Sequence, residues 1–378
     1  MKKIIITGGG SGGHAMPAVA IAQLLRNYEK KSGEKIRILY IGSKKGIEEK
    51  IAARNHCAFV SISTGKLRRY FSLENLIDFF RVIKGIFDSL VIIKRFKPDI
   101  IFSTGGFVSV PVVIAGHFTG TPSIIHEQTV DAGLANKIAG KFAKKIALTF
   151  EESAKYFSAA KTEITGIPLR ESIFDVDKEK AYSLLPVVRD LPVVYVSGGG
   201  LGCHLLNETM QKILPELLEK MNVIVQAGNA NDGKDYLNLL RFRESLDEKL
   251  KKRLTVFNFI EEVGNVFAIS DLVVARSGAG TVNELIALKL PAIFVPLAIA
   301  TGNEQFKNAS IMKKIGGAEI IEEKDLTPEL LLKSINELFD SGKLTNMKNN
   351  LQKLKNFCGN EKLLKLILQT LNLKYTEE

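Results

Sequence analysis

Three glycine-rich segments carry the strongest chemical signal in this sequence: Gly8-Gly9-Gly10-Ser11-Gly12-Gly13-His14, Ser103-Thr104-Gly105-Gly106-Phe107 and Gly198-Gly199-Gly200-Leu201-Gly202. Each follows a short apolar run, and the first and third open onto helical patterns. Glycine admits positive φ and lets backbone N–H groups come close to a ligand. A helix start behind such a loop favours negative charge, so a phosphate or diphosphate is the expected guest. For one loop a ligand-free strand-to-helix turn explains as much; three at strand ends favour binding. Gly8, Gly10 and Gly13 also fit the dinucleotide pattern G-x-G-x-x-G. That site wants an acid at the end of the second strand to hold ribose, and here the strand runs out as Ile41-Gly42-Ser43-Lys44-Lys45. No Gly-Lys-Ser/Thr closes the cluster, so it is not a P-loop.

His14 closes the first loop, where an imidazole could act as base or orienting group. His126-Glu127-Gln128 ends another apolar run, as site residues or as a structural cap. In Arg276-Ser277-Gly278-Ala279-Gly280-Thr281-Val282-Asn283-Glu284, small residues open a helix, and Glu284 lies about one turn inside. A carboxylate there can accept both hydroxyls of a ribose while the helix start receives phosphate; the alternative is an ordinary surface glutamate. Gly302-Asn303-Glu304-Gln305 offers amides and a carboxylate suited to sugar hydroxyls.

The elements that must position these groups alternate between strand and helix. Apolar runs at 4–7, 36–41, 100–103 and 123–126, with a helix over 17–28, predict a parallel sheet covered on both faces. The pattern restarts at 193–197 and continues through 223–227, 255–257, 272–275 and 292–295. Two doubly wound domains follow, connected through the proline-containing, charged segment 167–192. A chain of 378 residues with 46% hydrophobic and 25% charged content supports two such cores. The net charge of +11 calls for an anionic partner. No RNA-binding aromatic-basic module is visible, so nucleic acid is not expected. Cys57, Cys203 and Cys358 stand far apart, which suits a reducing cytosol. Met1-Lys2-Lys3 with Ile4-Ile5-Ile6 is too short for a signal peptide, and no apolar stretch is long enough to span a membrane.

In their order, segments 8–17, 104–111, 126–137, 166–170, 198–202, 259–260, 276–284 and 296–309 resemble the MurG family of N-acetylglucosaminyltransferases, which complete lipid II in peptidoglycan synthesis. The resemblance implies an α/β GT-B fold, two Rossmann-like doubly wound domains facing a cleft. Residues 1–166, joined by a C-terminal helix within 359–378, would form an acceptor and membrane domain, and 167–358 a UDP-sugar-binding domain. It implies inverting transfer from UDP-N-acetylglucosamine to the C4 hydroxyl of the muramoyl sugar of lipid I, with no metal or cofactor. His14 would be the catalytic base, or would position the acceptor hydroxyl. Donor contacts would be Ser11, Gly12, Gly13, Thr129, Arg170, Gly200, Ile260, Ala279, Gly280, Thr281, Val282, Asn283, Glu284 and Gln305. Acceptor contacts would be Gly9, Gly10, Gly105, Gly106 and Glu127, with residues 11–13 lining the reaction centre. The chain departs from the family pattern at Thr129, where Asn is usual, at Gly200, where Ser is usual, and at Glu304, where His or Gln is usual. Related functions on the same fold are another glycolipid-forming UDP-sugar transferase and a UDP-N-acetylglucosamine epimerase.

A second signal concerns the membrane. Lys66, Arg68, Arg69, Tyr70 and Phe71 precede a helical stretch over 73–97. One apolar stripe is Leu73, Leu76, Ile77, Phe80, Ile83 and Phe87; Phe79, Val82 and Ile86 extend it. A surface helix needs one apolar face for its core. The surplus, flanked by Arg81, Lys84, Lys94, Arg95 and Lys97, suits peripheral docking on an anionic membrane at its cytoplasmic face; the alternative is an all-buried helix pair.

Overall fold

The structure, a computed structural model, describes residues 1–378 apart from 11, 45, 47, 66–72, 299–302, 355–356 and 376–378, and apart from the side chains of 51, 54 and 73–76. Its two compact units comprise Met1–Arg170 with Cys358–Glu378, and Glu171–Phe357.

In the first unit, strands β1 (Lys2–Thr7), β2 (Ile36–Ser43), β3 (Ala58–Ile62), β4 (Ile100–Ser103), β5 (Ser123–Glu127), β6 (Lys145–Leu148) and β7 (Thr162–Ile164) form one sheet in the order 3-2-1-4-5-6-7. All its pairs are parallel. Ile4, Ile5 and Ile6 are fully buried, as a central parallel strand covered on both faces requires. The helix Gly12–Ser32 turns Ala18, Ile21, Leu25 and Tyr28 into the core at helical spacing. They meet Leu363, Leu366 and Ile367 of the last helix, Asn360–Thr370, so the end of the chain completes the first core. Asn360 also pins the connection: its Oδ1 accepts from the Leu169 N–H and its Nδ2 donates to the Leu169 carbonyl, each at 2.8 Å. Residues 167–170 therefore stay with the first unit, four beyond the boundary read from sequence.

In the second unit, β8 (Val193–Ser197), β9 (Asn222–Gln226), β10 (Leu254–Phe257), β11 (Leu272–Ala275), β12 (Ala292–Phe294) and β13 (Ala318–Ile320) form a second parallel sheet, in the order 10-9-8-11-12-13. Helices His204–Lys220 and Pro328–Asp340 seal one face, and Lys178–Leu184, Val263–Ile269 and Ala279–Leu288 the other. The segment 171–192 is thus packed structure, with Ala181 and Leu185 in a core.

The sequence reading misses β3, β6, β7 and β13, which are short and carry polar or half-exposed positions. It also starts the first helix at Pro17, the residue preferred at a first helical position. The helix begins at Gly12, inside the glycine loop, and Pro17 lies within it.

Candidate active site

Each sheet reverses its strand order once, between β1 and β4 and between β8 and β11. Ligands of open parallel sheets bind outside the carboxyl ends of the strands at such switch points. The glycine loops emerge there.

In the first unit, the Gly9 N–H donates to the Gly105 carbonyl at 3.3 Å. A Cβ on Gly106 (φ +82°) would lie 2.0 Å from the Gly9 carbonyl oxygen, so the two loops can touch only without side chains. Beneath them lies a group that the sequence reading does not single out. The carboxylate of Glu48, completely buried, accepts the Gly10 N–H at 2.6 Å and the Ser43 hydroxyl at 3.2 Å. An acid does follow β2, but it engages the glycine loop itself. Its sequence signal was only its place just after the strand. Gly12 and Gly13 stand in the first helical turn, whose N–H groups have no partner within the helix. Ser11 lies outside the described residues.

His14 is half-buried, with Nδ1 2.9 Å from the Thr104 carbonyl oxygen. A carbonyl can only accept, so Nδ1 carries the proton and the neutral ring keeps its lone pair on Nε2. Gln128 Nε2 donates to the same carbonyl at 2.7 Å. His126 has a different part. Burial pushes its pKa down to about 4 against the opposing Gly166 carbonyl, to which Nε2 donates at 2.9 Å. It is a neutral, enclosed ring at neutral pH.

Glu127 corrects an expectation. Its Oε1 accepts from the Gln128 N–H, the Thr129 N–H and, at 2.7 Å, the Thr129 hydroxyl. Its Oε2 accepts from the Gly133 N–H and Asn136 Nδ2. At 2% exposure it shapes the loop after β5 instead of presenting an oxygen to a ligand. Thr129 belongs to the same knot: its hydroxyl also lies 2.8 Å from the Asp131 carbonyl, so it turns inward.

In the second unit, Gly199 (φ +85°) and Gly202 (φ +81°) shape the loop after β8. A Cβ on Gly200 would meet nothing nearer than the Phe259 ring at 3.9 Å, so the loop is open on that side. Gln226, a residue absent from the sequence reading, ties this loop to the next: Nε2 donates to the Ser197 hydroxyl and Gly199 carbonyl, while Oε1 accepts the Ile260 N–H at 3.0 Å. The Ile260 N–H is thereby engaged, which leaves its carbonyl for a base. The helix Ala279–Leu288 has Gly278 at its N-cap with no side-chain cap bond, and a Cβ on Gly278 or Gly280 would meet nothing within 4 Å. The N–H groups of Ala279, Gly280 and Thr281 stand at that open end. Val282 and Asn283 differ from expectation: both bury their side chains, and the Val282 N–H bonds to the Gly278 carbonyl. Glu284 is half-buried and close enough to Tyr195 to help raise that phenol's pKa, after burial as the main cause. Gln305 accepts the Leu297 N–H at Oε1 (3.0 Å), so what it can offer a sugar is its NH2. Arg170 belongs to the first unit and Ile260 to the second.

The strand-end loop at 296–298 is held by an ion pair. Arg276 donates to the Val295 carbonyl at 3.0 Å and to Glu323 at 2.5 Å, and Glu323 accepts the Ala298 N–H at 2.8 Å. Burial alone would raise the Glu323 carboxyl, but the guanidinium and the N–H outweigh it and hold the pKa below the ordinary value. A lowered carboxyl pKa stabilises the fold above the unfolded value, about 4.3, and the contribution is lost as pH falls through the folded value. Glu323→Gln is expected to cost about 2 kcal/mol at pH 7 and less at pH 3, which lies below the unfolded value. Urea denaturation across that range checks it; an equal loss at both pH values would remove the ion pair as the cause.

Two doubly wound parallel sheets, each with an anion-ready loop at its switch point, define a GT-B fold. The chain belongs to glycosyltransferase family 28: the model of the family's N-terminal domain matches residues 4–148, and that of its C-terminal domain matches 193–360. It is 41% identical over 342 residues to a Bacillus anthracis protein named UDP-N-acetylglucosamine--N-acetylmuramyl-(pentapeptide) pyrophosphoryl-undecaprenol N-acetylglucosamine transferase 2, covering 89% of this chain and 92% of the relative. The crystal structure of Acinetobacter baumannii MurG superposes with a TM-score of 0.74 at 25% identity, covering 98% of this chain and 100% of that one. A UDP-N-acetylglucosamine 2-epimerase superposes with a TM-score of 0.66 over 100% of this chain and 98% of its own, but at 12% identity it shares the fold alone.

Proposed function

We propose that this chain transfers N-acetylglucosamine from UDP-N-acetylglucosamine to the C4 hydroxyl of the muramoyl sugar of lipid I, forming lipid II with inversion. The observation that carries the chemistry is His14, its Nδ1–H bonded to Thr104 and its Nε2 left as base beside two glycine loops. Nε2 takes the hydroxyl proton as the oxygen attacks the anomeric carbon and the bond to UDP breaks. The charge that develops on UDP is met by the N–H groups of Ala279, Gly280 and Thr281 and of the loop around Gly200, so the transition state is stabilised by fixed dipoles. Glu284 takes the ribose, the Ile260 carbonyl the uracil, and the Gln305 NH2 the donor sugar. Gly9, Gly10, Gly105 and Gly106 line the acceptor diphosphate, with Gly12 and Gly13 at the reaction centre. Glu127 and Thr129 act through the loop that they shape. The transferase reading is favoured over epimerisation because the family match and the named relative run along nearly the whole chain.

Labelled UDP-N-acetylglucosamine with a lipid I analogue tests this reading. A labelled lipid product is expected; hydrolysis or epimerisation of the donor without transfer would overturn it.

The same reading places the chain on the cytoplasmic face of the membrane. Among the described residues no helix is long and apolar enough to cross a membrane. The helix Leu73–Phe96 turns Ile86, Leu90 and Ile93 toward the core, while Ile77, Phe79, Phe80, Phe87 and Val91 are exposed, Phe80 at 62% and Phe87 at 63%. Phe118, at the end of the neighbouring helix Ser109–Phe118, is exposed as well. Arg81 and Lys84, paired with Asp78 and Asp88, lie along the same helix. With Lys94 and Arg95 in the last turn of the helix, an anionic bilayer suits these exposed aromatics. The side chains of Leu73 and Leu76 and residues 66–71, also expected here, lie outside the described residues. A Phe80→Ser/Phe87→Ser variant is expected to lose at least ~10-fold in binding to vesicles containing anionic lipid. Its transfer to a water-soluble acceptor analogue should be unchanged. Undiminished sedimentation with vesicles would reject this face.

A further inference from the structure

Thr104 grips His14 at two points. Its N–H donates to the Thr7 carbonyl at 2.9 Å, which anchors it to the end of β1. Its carbonyl accepts the His14 ring Nδ1–H at 2.9 Å, and its hydroxyl donates to the His14 main-chain carbonyl at 2.6 Å. The residue is completely buried. Gly8 makes room for it: a Cβ on Gly8 would fall 1.9 Å from Thr104 Oγ1. The first glycine of the G-x-G-x-x-G pattern thus admits a side chain from the loop after β4, as well as shaping a turn.

We propose that Thr104 is the positioning residue of the base, through a clamp that fixes the ring and the first helical turn of His14 together; this rests on the reading of His14 as base. A ring held by one hydrogen bond can still swing about its side-chain torsions and move with its helix turn. The hydroxyl-to-carbonyl bond fixes the turn, and the ring-to-carbonyl bond then fixes the torsions against the same residue. Gln128, bonded to the same carbonyl, keeps that acceptor in place. The clamp sets where Nε2 points and which nitrogen carries the proton, and all of its residues belong to the first unit.

The test compares Thr104→Val, which removes only the hydroxyl at nearly constant shape, with Thr104→Ser, which restores it. Both are made in the full chain, with His14 intact and with His14→Ala. Thr104→Val should lower kcat about 10–100-fold, the range that a displacement of about 1 Å produces, with UDP affinity by calorimetry unchanged. Thr104→Ser should recover most of the rate. On the His14→Ala background Thr104→Val should add less than about 2-fold, because the clamp has nothing left to position. Wild-type kcat in Thr104→Val, or a full further loss on the His14→Ala background, overturns the clamp. An unimpaired His14→Ala enzyme overturns the base reading, and the clamp's role with it. Ring ¹⁵N spectra of the wild-type chain do not depend on how any variant folds: His14 should show the Nδ1–H tautomer, and an Nε2–H tautomer would sink the proposal.

Discussion

Replacing His14 by alanine is expected to lower kcat by about 10²–10⁴-fold, the usual contribution of a positioned acid or base, and to leave UDP binding unchanged. The size follows from what the C4 hydroxyl lacks. A sugar hydroxyl is a poor nucleophile until its proton leaves, and His14 Nε2 is the basic atom with a tautomer already set, by the Thr104 carbonyl 2.9 Å from Nδ1. The neighbouring histidine does not replace it: His126 is enclosed, with its pKa pushed down to about 4 by burial. UDP affinity should not change because His14 belongs to the first unit, whereas the Gly199–Gly202 loop and the helix Ala279–Leu288 belong to the second. Single-turnover kinetics and calorimetry with UDP separate the two quantities. A loss of affinity with kcat retained would make His14 a binding residue instead.

Glu127→Ala is expected to produce the largest loss of stability in the first unit, about 3–5 kcal/mol. Five donors converge on the Glu127 carboxylate, from Gln128, Thr129 twice, Gly133 and Asn136. Removing the carboxylate orphans the Gln128, Thr129 and Gly133 N–H groups, while the Thr129 hydroxyl keeps the Asp131 carbonyl and Asn136 Nδ2 the His126 carbonyl; each orphaned donor costs about 1–3 kcal/mol before the loop relaxes or admits water. Glu127→Gln keeps the shape but sets an NH2 group against some of those donors, so about half the loss is expected. The chain has no tryptophan, so far-UV circular dichroism in urea is the suitable readout. If the two units unfold separately, only the transition of the first should shift, because the second unit holds none of these residues. Loss of transfer activity should accompany the shift, since the loop also carries Gln128, which donates to the Thr104 carbonyl. An unchanged transition would show that the carboxylate is not the hub of that loop.

The contrast between these two residues shows how the sequence was legible. His14 could be picked out because a histidine closing a glycine loop at a helix start is a local pattern. Glu127 could be picked out only as polar at a strand end, and its part as a hub depends on Asn136 and Gly133 folding back over it. Glu48 escaped notice for the same reason: its partner, the Gly10 N–H, is 38 residues away in sequence. Gln226 and Ile260 are 34 residues apart, and neither type suggests the other.

The sequence by itself determined the two parallel sheets, their central strands, the glycine loops at their ends and the family. These rest on local chemistry: unbroken apolar runs make doubly covered strands, and glycine makes close turns. The tertiary structure decided what each polar group at those ends is for. It buried Val282 and Asn283, turned Thr129 inward, directed Gln305 Oε1 to Leu297 and brought Thr104 to His14 across 90 residues. The physical reason is that a hydrogen bond depends on which strand lies beside which. The order 3-2-1-4-5-6-7, which sets β4 against β1, follows from how the whole chain packs and not from any local stretch of it.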